Sequence, residues 1–262
     1  MKQFDMGDET APSEYGGMTH YVDLPTKGEY YPEGHPLHGV DKIEIKMMTT
    51  KEEDVLTNQS YIESGVVIDK LLESIIILNV SAQDIFEPDK MAILIASRIE
   101  AYGEDYGITM LCEKCGEINN YNVDLLEIQQ KIIESKLEIT EYGTVIVELP
   151  KSKKVIEFKH LLPRTTASIE KTVQKMKKLN INTNFNTEFF KRIVVSVDGD
   201  TNKEEVAKLV ENLRILDSRV LSLAYTRSLP SLDTSFKATC SSCAHESEGG
   251  LPIQANFFFP EF

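Results

Sequence analysis

Every cysteine in this 262-residue chain belongs to one of two Cys-x-x-Cys pairs, Cys112-Glu-Lys-Cys115 and Cys240-Ser-Ser-Cys243. Thiolates at this spacing suit a soft tetrahedral cation: one pair supplies two ligands, and two pairs complete a closed four-cysteine zinc site with no open position for a catalytic water. Strand-like segments flank each pair, Ile108 to Leu111 and Asn120 to Leu125 around the first, Ser235 to Thr239 and Leu251 to Ala255 around the second. Each pair therefore reads as a knuckle, a tight turn presenting two thiolates. Gly116 suits the turn of the first, since glycine tolerates positive φ; Ala244 stands at the matching place in the second. The competing readings are redox-active pairs, two local disulfides or four buried thiols. A thioredoxin-type pair opens a helix after a strand, and neither pair is followed by a helical pattern. The expectation is one structural zinc per chain on Cys112, Cys115, Cys240 and Cys243, with His245 as a weaker substitute ligand.

The sequence between Cys115 and Cys240 is long for a ribbon, but length alone does not forbid the site. Extending a closed loop from about 20 to about 125 residues adds roughly 1.6 kcal/mol of closure entropy, against about 10 to 16 kcal/mol of apparent zinc binding in small sites. The chain is 41% hydrophobic and 27% charged, an ordinary globular balance. Its first residues lack the basic and apolar regions of a signal peptide, and its longest apolar run, Met91 to Ala96, is far too short for a membrane span. Metal-like cysteine pairs without a secretory signal fit a reducing compartment. A net charge of −14 opposes general binding to phosphate backbones.

Positioning the knuckles calls for an α+β body. Met1 to Asp23 reads as a flexible acidic arm, and Leu24 to Pro32 as a turn-rich segment. Val40 to Met47 alternates as a half-buried strand. A helix begins at Thr50, where Thr50 and Glu53 have capping-box spacing; a second covers Val66 to Ile77 with Val67, Leu71, Ile75 and Leu78 inward. A third runs from Pro88 to Tyr102, capped by Gly103. Asp124 to Leu137 reads as helix. Thr144 to Leu149 and Lys154 to His160 form a hairpin. Ala167 to Leu179 is helical, Thr187 to Val197 is ambiguous, Thr201 to Leu213 opens on a Thr201/Glu204 capping box, and Asp217 to Ser228 forms a last helix. The division expected is an arm over 1–23, a discontinuous zinc-ribbon body over 24–139 and 233–262, and a hairpin-plus-helix insertion over 140–232.

No phosphate loop, dinucleotide fingerprint or nucleophile elbow is present, and no histidine stands beside a nucleophile. His35 and His38 lie next to Pro36 and Gly39, where no helix aligns them as ligands. Asp198-Gly-Asp200 lacks the glycine and glutamate of a calcium loop. Lys171, Lys175, Lys177 and Lys178 make a basic helix face, read as solvated. Phe257, Phe258, Phe259 and Phe262 crowd the C-terminus; rings that bury about 150–250 Å² each are covered either by their own domain or by a partner protein, and they are the candidate partner-binding residues.

Several of these stretches, taken in order, resemble the baseplate hub proteins of contractile-tailed phages of the T-even type. They are Leu24-Pro25 with Tyr31-Pro32, Met48-Thr-Thr-Lys-Glu-Glu-Asp54, Tyr102-Gly103 and Tyr106-Gly107 ahead of Cys112-x-x-Cys115-Gly116, Val197-Asp-Gly199, Cys240-x-x-Cys243 and Phe-Phe-Phe-Pro260. The second pair departs from the pattern in lacking a following glycine. The resemblance implies a non-enzymatic structural component or assembly factor of the tail, in contact with other hub, spike or wedge proteins, present in the host cytoplasm during assembly and in the virion if retained. A zinc-ribbon accessory factor for nucleic acid is the alternative, against which only Lys114 and Lys237 lie near the knuckles.

Overall fold

The computed structural model describes residues 18–179, 181 and 183–259; most of the expected arm, and Phe262, lie outside the described residues. The chain is α+β, with its apolar side chains in two cores. The first begins with β1 (Thr19–Asp23), antiparallel to β2 (Lys42–Lys46) with Thr19 opposite Lys46. Ile43 and Ile45 point inward as the alternation predicts. β1 corrects the expected arm boundary: a short strand whose one inward aliphatic residue is Val22 carries almost no period to read.

α1 (Thr50–Leu56) is capped one residue earlier than expected. The run Thr49-Thr-Lys-Glu-Glu53 offers two overlapping boxes, and burial selects between them. The Thr49 N–H and hydroxyl donate to Glu52 at 2.9 and 2.6 Å, while the Ser74 hydroxyl donates to Glu52 at 2.6 Å and Lys46 lies 3.5 Å away. Burial alone pushes this carboxyl up; the bonds from Ser74 and Thr49 and the Lys46 charge outweigh it and hold the pKa at about 2. After α2 (Gln59–Glu63) comes α3 (Val67–Ile75), which buries Val67, Leu71 and Ile75 as expected. Leu78 lies past its end and is exposed.

α4 (Glu87–Tyr102) starts with Pro88 in its first turn and ends on Gly103 at φ 84°. It is the central helix of the first core, covered on every side from Ala92 to Ala96. Its buried Asp89 accepts from the Thr26 N–H, the Thr26 hydroxyl and the Tyr31 hydroxyl at 3.0, 2.6 and 2.6 Å, which fixes the turn-rich segment after β1.

β3 (Asp105–Leu111) and β4 (Ile118–Asp124) form the first ribbon hairpin. The helix expected over Asp124 to Leu137 stops early: α5 spans Leu125–Gln130, and β5 (Ile132–Ile133) turns away to pair with β9 (Ser231–Leu232). Two consecutive β-branched residues favour the extended backbone, and the Asp233 N–H donating to Lys131 O at 2.8 Å extends the ladder. The two ends of the intervening chain are thus joined at residues 132–133 and 231–232; the first lies a few residues before the expected start at 140 and the second coincides with the expected end at 232.

Between them β6 (Thr144–Glu148), β7 (Val155–Lys159) and β8 (Val194–Val197) form one antiparallel sheet in the order β6-β7-β8. Around it lie α6 (Pro163–Lys178), α7 (Phe185–Ile193), α8 (Lys203–Glu211) and α9 (Ile215–Ser228). The ambiguous 187–197 stretch resolves into the end of α7 followed by β8, where Val194, Val195 and Val197 are β-branched. α8 is capped by Asn202, whose side chain accepts from the Glu204 N–H at 2.9 Å, not by Thr201. Buried Asp217 accepts from the Lys151 and Ser152 N–H groups at 2.8 and 3.0 Å, tying α9 to the β6–β7 turn. Phe158, Ile169, Phe190 and Val206 meet in this second core.

The chain then forms β10 (Ser235–Thr239) and β11 (Glu246–Gly250), the second ribbon hairpin. The return strand was expected at Leu251 to Ala255. It begins earlier, in a Glu-Ser-Glu-Gly-Gly stretch that carries no strand propensity. Phe236, directly opposite Gly249, supplies the missing cover: a Cβ on Gly249 would sit 2.6 Å from its ring and 2.9 Å from Met110 Sδ of the first hairpin.

Candidate metal centre

The two knuckles share one backbone pattern. The Cys112 N–H donates to Glu117 O at 2.8 Å and the Gly116 N–H to Cys112 O at 2.9 Å; the Cys240 N–H donates to His245 O at 2.9 Å and the Ala244 N–H to Cys240 O at 3.0 Å. Both turns need a left-handed residue at the fifth position, Gly116 at φ 76° and Ala244 at φ 54°. The absent glycine in the second pair therefore leaves the turn geometry unchanged, at a conformational cost of about 1–2 kcal/mol for an L residue.

The hairpins bring the four sulfurs together across the long insertion. Cys112 Sγ lies 3.7 Å from Cys243 Sγ and Cys115 Sγ 3.6 Å from Cys240 Sγ, and all four lie within 4.8 Å of one another. A tetrahedron with metal–sulfur arms of about 2.3 Å has edges of about 3.8 Å, so these thiols fit one ion. They are free, not disulfide-bonded. Cys112 and Cys240 are buried, Cys243 half-buried and Cys115 exposed at the mouth.

The thiols are electrostatically unequal. The Cys243 N–H, opposed by burial and assisted by the Ser242 N–H, the Cys115 thiol and the Asn119 amide, brings Cys240 down to about 6. For Cys115 the Glu117 backbone bond lowers the pKa, but contact with Cys243, burial, and contacts with Cys240 and Cys112 together push it up to about 12. A first thiolate thus suppresses the second, and a bound cation would reverse that order by stabilising all four as thiolates.

Sequence reasoning missed Asn119, which joins the knuckles without any metal. It is only 6% exposed. Its Oδ1 accepts from the Ser241 N–H at 2.9 Å and the Ser241 hydroxyl at 2.8 Å, and its Nδ2 donates to Glu117 O at 3.1 Å and toward Cys240 Sγ at 3.6 Å. The signal was present: along β4 the inward positions are Asn119, Tyr121 and Val123, and a polar residue at such a place next to a Cys pair needs a partner.

The remaining candidates fall elsewhere. His245 contributes its carbonyl to the second turn and does not belong to the thiol cluster. The His35 ring stacks on Tyr31 at 4.6 Å, and His38 Nδ1 lies 2.7 Å from Tyr31 O, so these histidines do not converge as ligands. The C-terminal aromatic assignment requires correction. Phe257 and Phe258 are 0% exposed, carried by a 3-10 turn (Ala255–Phe258) into the first core. Phe257 packs on Tyr106 at 5.0 Å, and its carbonyl accepts from Arg98 Nε at 3.1 Å; the guanidinium lies 4.8 Å from the Tyr102 ring. They are unavailable as outward anchors because they complete the wall around Arg98. Phe259 alone of the described aromatics in this stretch is exposed, at 39%.

Fold and site define an α+β protein with two cores and a four-thiol centre, built by hairpins that bracket an insertion. The chain matches the family described as T4 bacteriophage base plate protein over residues 19–259 and belongs to that family. It is a phage baseplate structural protein, and its place is the virion tail. No curated protein and no solved structure matches it. Among the described residues no helix is long and apolar enough to cross a membrane.

Proposed function

We propose that this protein acts in the hub of the baseplate, as a structural component or assembly factor, through contacts with other hub, spike or wedge proteins and without catalysing a reaction. The observation that carries this reading is the thiol centre: four sulfurs at tetrahedral spacing, in a chain of the baseplate family, leave no ligand position for a reacting group. Cys112, Cys115, Cys240 and Cys243 would hold one zinc, which supplies folding energy and rigidity. A rigid ribbon loses little freedom on association, which lowers the ordering cost of an interface.

With Phe257 and Phe258 in the core, the outward apolar residues of the ribbon become the contact surface. Leu111 and Ile118 face each other across the hairpin beside the first knuckle, 63% and 66% exposed; Phe259, 39% exposed in the C-terminal stretch, is a separate candidate anchor. The acidic surroundings, with Glu113, Glu117, Glu246 and Glu248 against Lys114 and Lys237, disfavour a nucleic-acid role. Assembly would take place in the host cytoplasm. The test is coexpression with the neighbouring tail genes: the protein should copurify with hub components, carry one zinc per chain, and lose both on Cys112→Ser or Cys240→Ser. Copurification with proteins of the outer baseplate only would refute the hub assignment, and a metal-free preparation made without chelators would refute the zinc.

A further inference from the structure

Helix α9 is apolar on two faces. Leu221 and Ala224 turn into the second core, 1% and 8% exposed, and Asp217 on the same side accepts from the Lys151 and Ser152 N–H groups. On the other side Leu216, Val220 and Leu223 follow one another at spacings of four and three, the repeat of a seam that packs against a second helix. Leu216 and Leu223 are 45% and 50% exposed, Val220 is half-buried, and Ile215 at the start of the helix is 79% exposed. A helix on the surface of a domain ordinarily carries one apolar stripe and a polar opposite face. The second stripe of α9 is left half in solvent.

The charges along this seam have one sign. Arg227 continues the stripe four residues after Leu223, Arg219 flanks it, and Arg214 precedes the helix; these are three of the chain's six arginines, and all three are exposed. Among the described residues Arg219 and Arg227 form no ion pair. The one carboxylate of the helix, Asp217, is buried and taken up by the β6–β7 turn. The surrounding unit shares the sign: residues 133–232 contain 17 Lys and Arg against 13 Asp and Glu, whereas the rest of the chain contains 11 against 29. A second copy of α9 laid on the first would bring arginines together with no carboxylate between them, which is a repulsive arrangement.

We infer that the outward face of α9 is a docking surface for an amphipathic helix of a different protein, whose apolar residues pack between Leu216, Val220 and Leu223 and whose flanking Asp or Glu residues pair with Arg219 and Arg227. Two properties select this occupant. The four-three spacing matches the side-chain rows of a facing helix, and unpaired guanidiniums call for carboxylates, which arginine holds as a fork. Nucleic acid would pair with the arginines but leave the leucines in water, because its phosphates offer no apolar surface. The inference rests on the reading that the chain works through protein contacts. It adds the place and chemistry of one contact, separate from Leu111 and Ile118 on the ribbon.

The test uses the full chain, coexpressed with the other tail genes, with the photoreactive residue p-benzoylphenylalanine in place of Leu223. Irradiation should join it to one baseplate protein, at a segment with apolar residues at helical spacing flanked by Asp or Glu. Leu216→Gln with Leu223→Gln should lower the affinity for that protein about 30-fold, the loss of two leucines half-covered on binding. The same variant should keep its melting point and metal content, because both side chains lie outside the second core. Arg219→Glu with Arg227→Glu should weaken the contact, and changing the facing carboxylates of the partner to lysine should restore it. A crosslink to a second copy of this chain, to nucleic acid or to a basic segment would overturn the inference, as would unchanged affinity in the glutamine variant. If the crosslinked protein belongs to the outer baseplate and no hub protein copurifies, the docking site stands and the hub assignment falls. If the unaltered chain copurifies with hub proteins and α9 gives no crosslink, the hub assignment stands and the docking site falls.

Discussion

Replacing Asn119 by alanine separates two contributions to the ribbon, the metal and the direct contact between knuckles. The side chain makes two bonds to Ser241 at 2.9 and 2.8 Å, one to Glu117 O at 3.1 Å, and a longer one to Cys240 Sγ at 3.6 Å. Three ordinary hydrogen bonds in a buried place, at about 1 kcal/mol each, set a loss of roughly 2–4 kcal/mol, because the Ser241 and Glu117 groups are left partly unpaired. The contact with Cys240 adds a specific expectation: loss of a group that orients and polarises a ligand lowers metal affinity by about 10–100-fold. Zinc affinity by chelator competition and unfolding by heat, on loaded and stripped protein, measure the two terms. Asn119→Ala should weaken zinc binding and destabilise the stripped protein as well. An unchanged affinity together with an unchanged stripped-state melting point would refute the reasoning. Destabilisation with unchanged affinity would reduce Asn119 to a link between loops.

Ala244→Gly should stabilise the protein by about 0.5–1 kcal/mol, since it removes the strain of an alanine at φ 54° at the cost of greater freedom in the unfolded chain; denaturant unfolding that shows a loss would contradict the shared-turn reading. Removing Asn256 to Phe262 should unfold or strongly destabilise the body, because two 0% exposed phenylalanines are worth about 1.5–3 kcal/mol each and Arg98 loses its carbonyl acceptor; a truncated protein with an unchanged melting point would refute the core assignment. His160, with its folded pKa lowered to about 4 by burial, favours the neutral ring, so its contribution is full above about pH 6.5 and is lost as pH falls toward 4. Stability should drop by a few kcal/mol across that window, and His160→Phe should flatten the drop; an equal slope in both proteins would place the acid sensitivity elsewhere.

The parts of this molecule legible in its sequence were those fixed by local chemistry. Cysteine spacing, the Pro88 and Gly103 bounds of α4 and the alternation of β6 and β7 depend on residues within one element, and the structure places each of those elements within a residue or two. What escaped depends on distant partners. Thr49 and Thr50 both offer a capping box, and only the approach of Ser74 and Lys46 to Glu52 chooses the frame. β11 is strand in spite of its glycines because Phe236 and Met110 fill the space above Gly249. α5 ends where Ile132 meets Leu232, a neighbour far away in sequence. The same holds for the aromatic terminus: three consecutive phenylalanines state only that something must cover them; Phe257 packs on Tyr106 with its carbonyl on Arg98, while Phe259 stays exposed.

The long insertion does not rely on the thiol centre alone for closure. Its ends meet in the β5–β9 ladder, Ile132 opposite Leu232 and Ile133 opposite Ser231, and the Asp233 N–H adds a bond to Lys131 O at 2.8 Å. Beyond that ladder each ribbon hairpin runs outward, and Asn119 and the four sulfurs join the two hairpins at the far end. The closure entropy of the insertion is therefore met mainly at the base, and the loop that remains for the metal to close, from β5 and β9 out to the knuckles, is short. Short closed loops carry little entropy, so a metal held by the four thiols would act chiefly on the stiffness of the tip. Leu111 and Ile118 sit on that tip, immediately beside Cys112 and Glu117. In a baseplate protein a surface of this kind gains most from rigidity, because an apolar pair already held in place does not lose conformational freedom when a partner covers it.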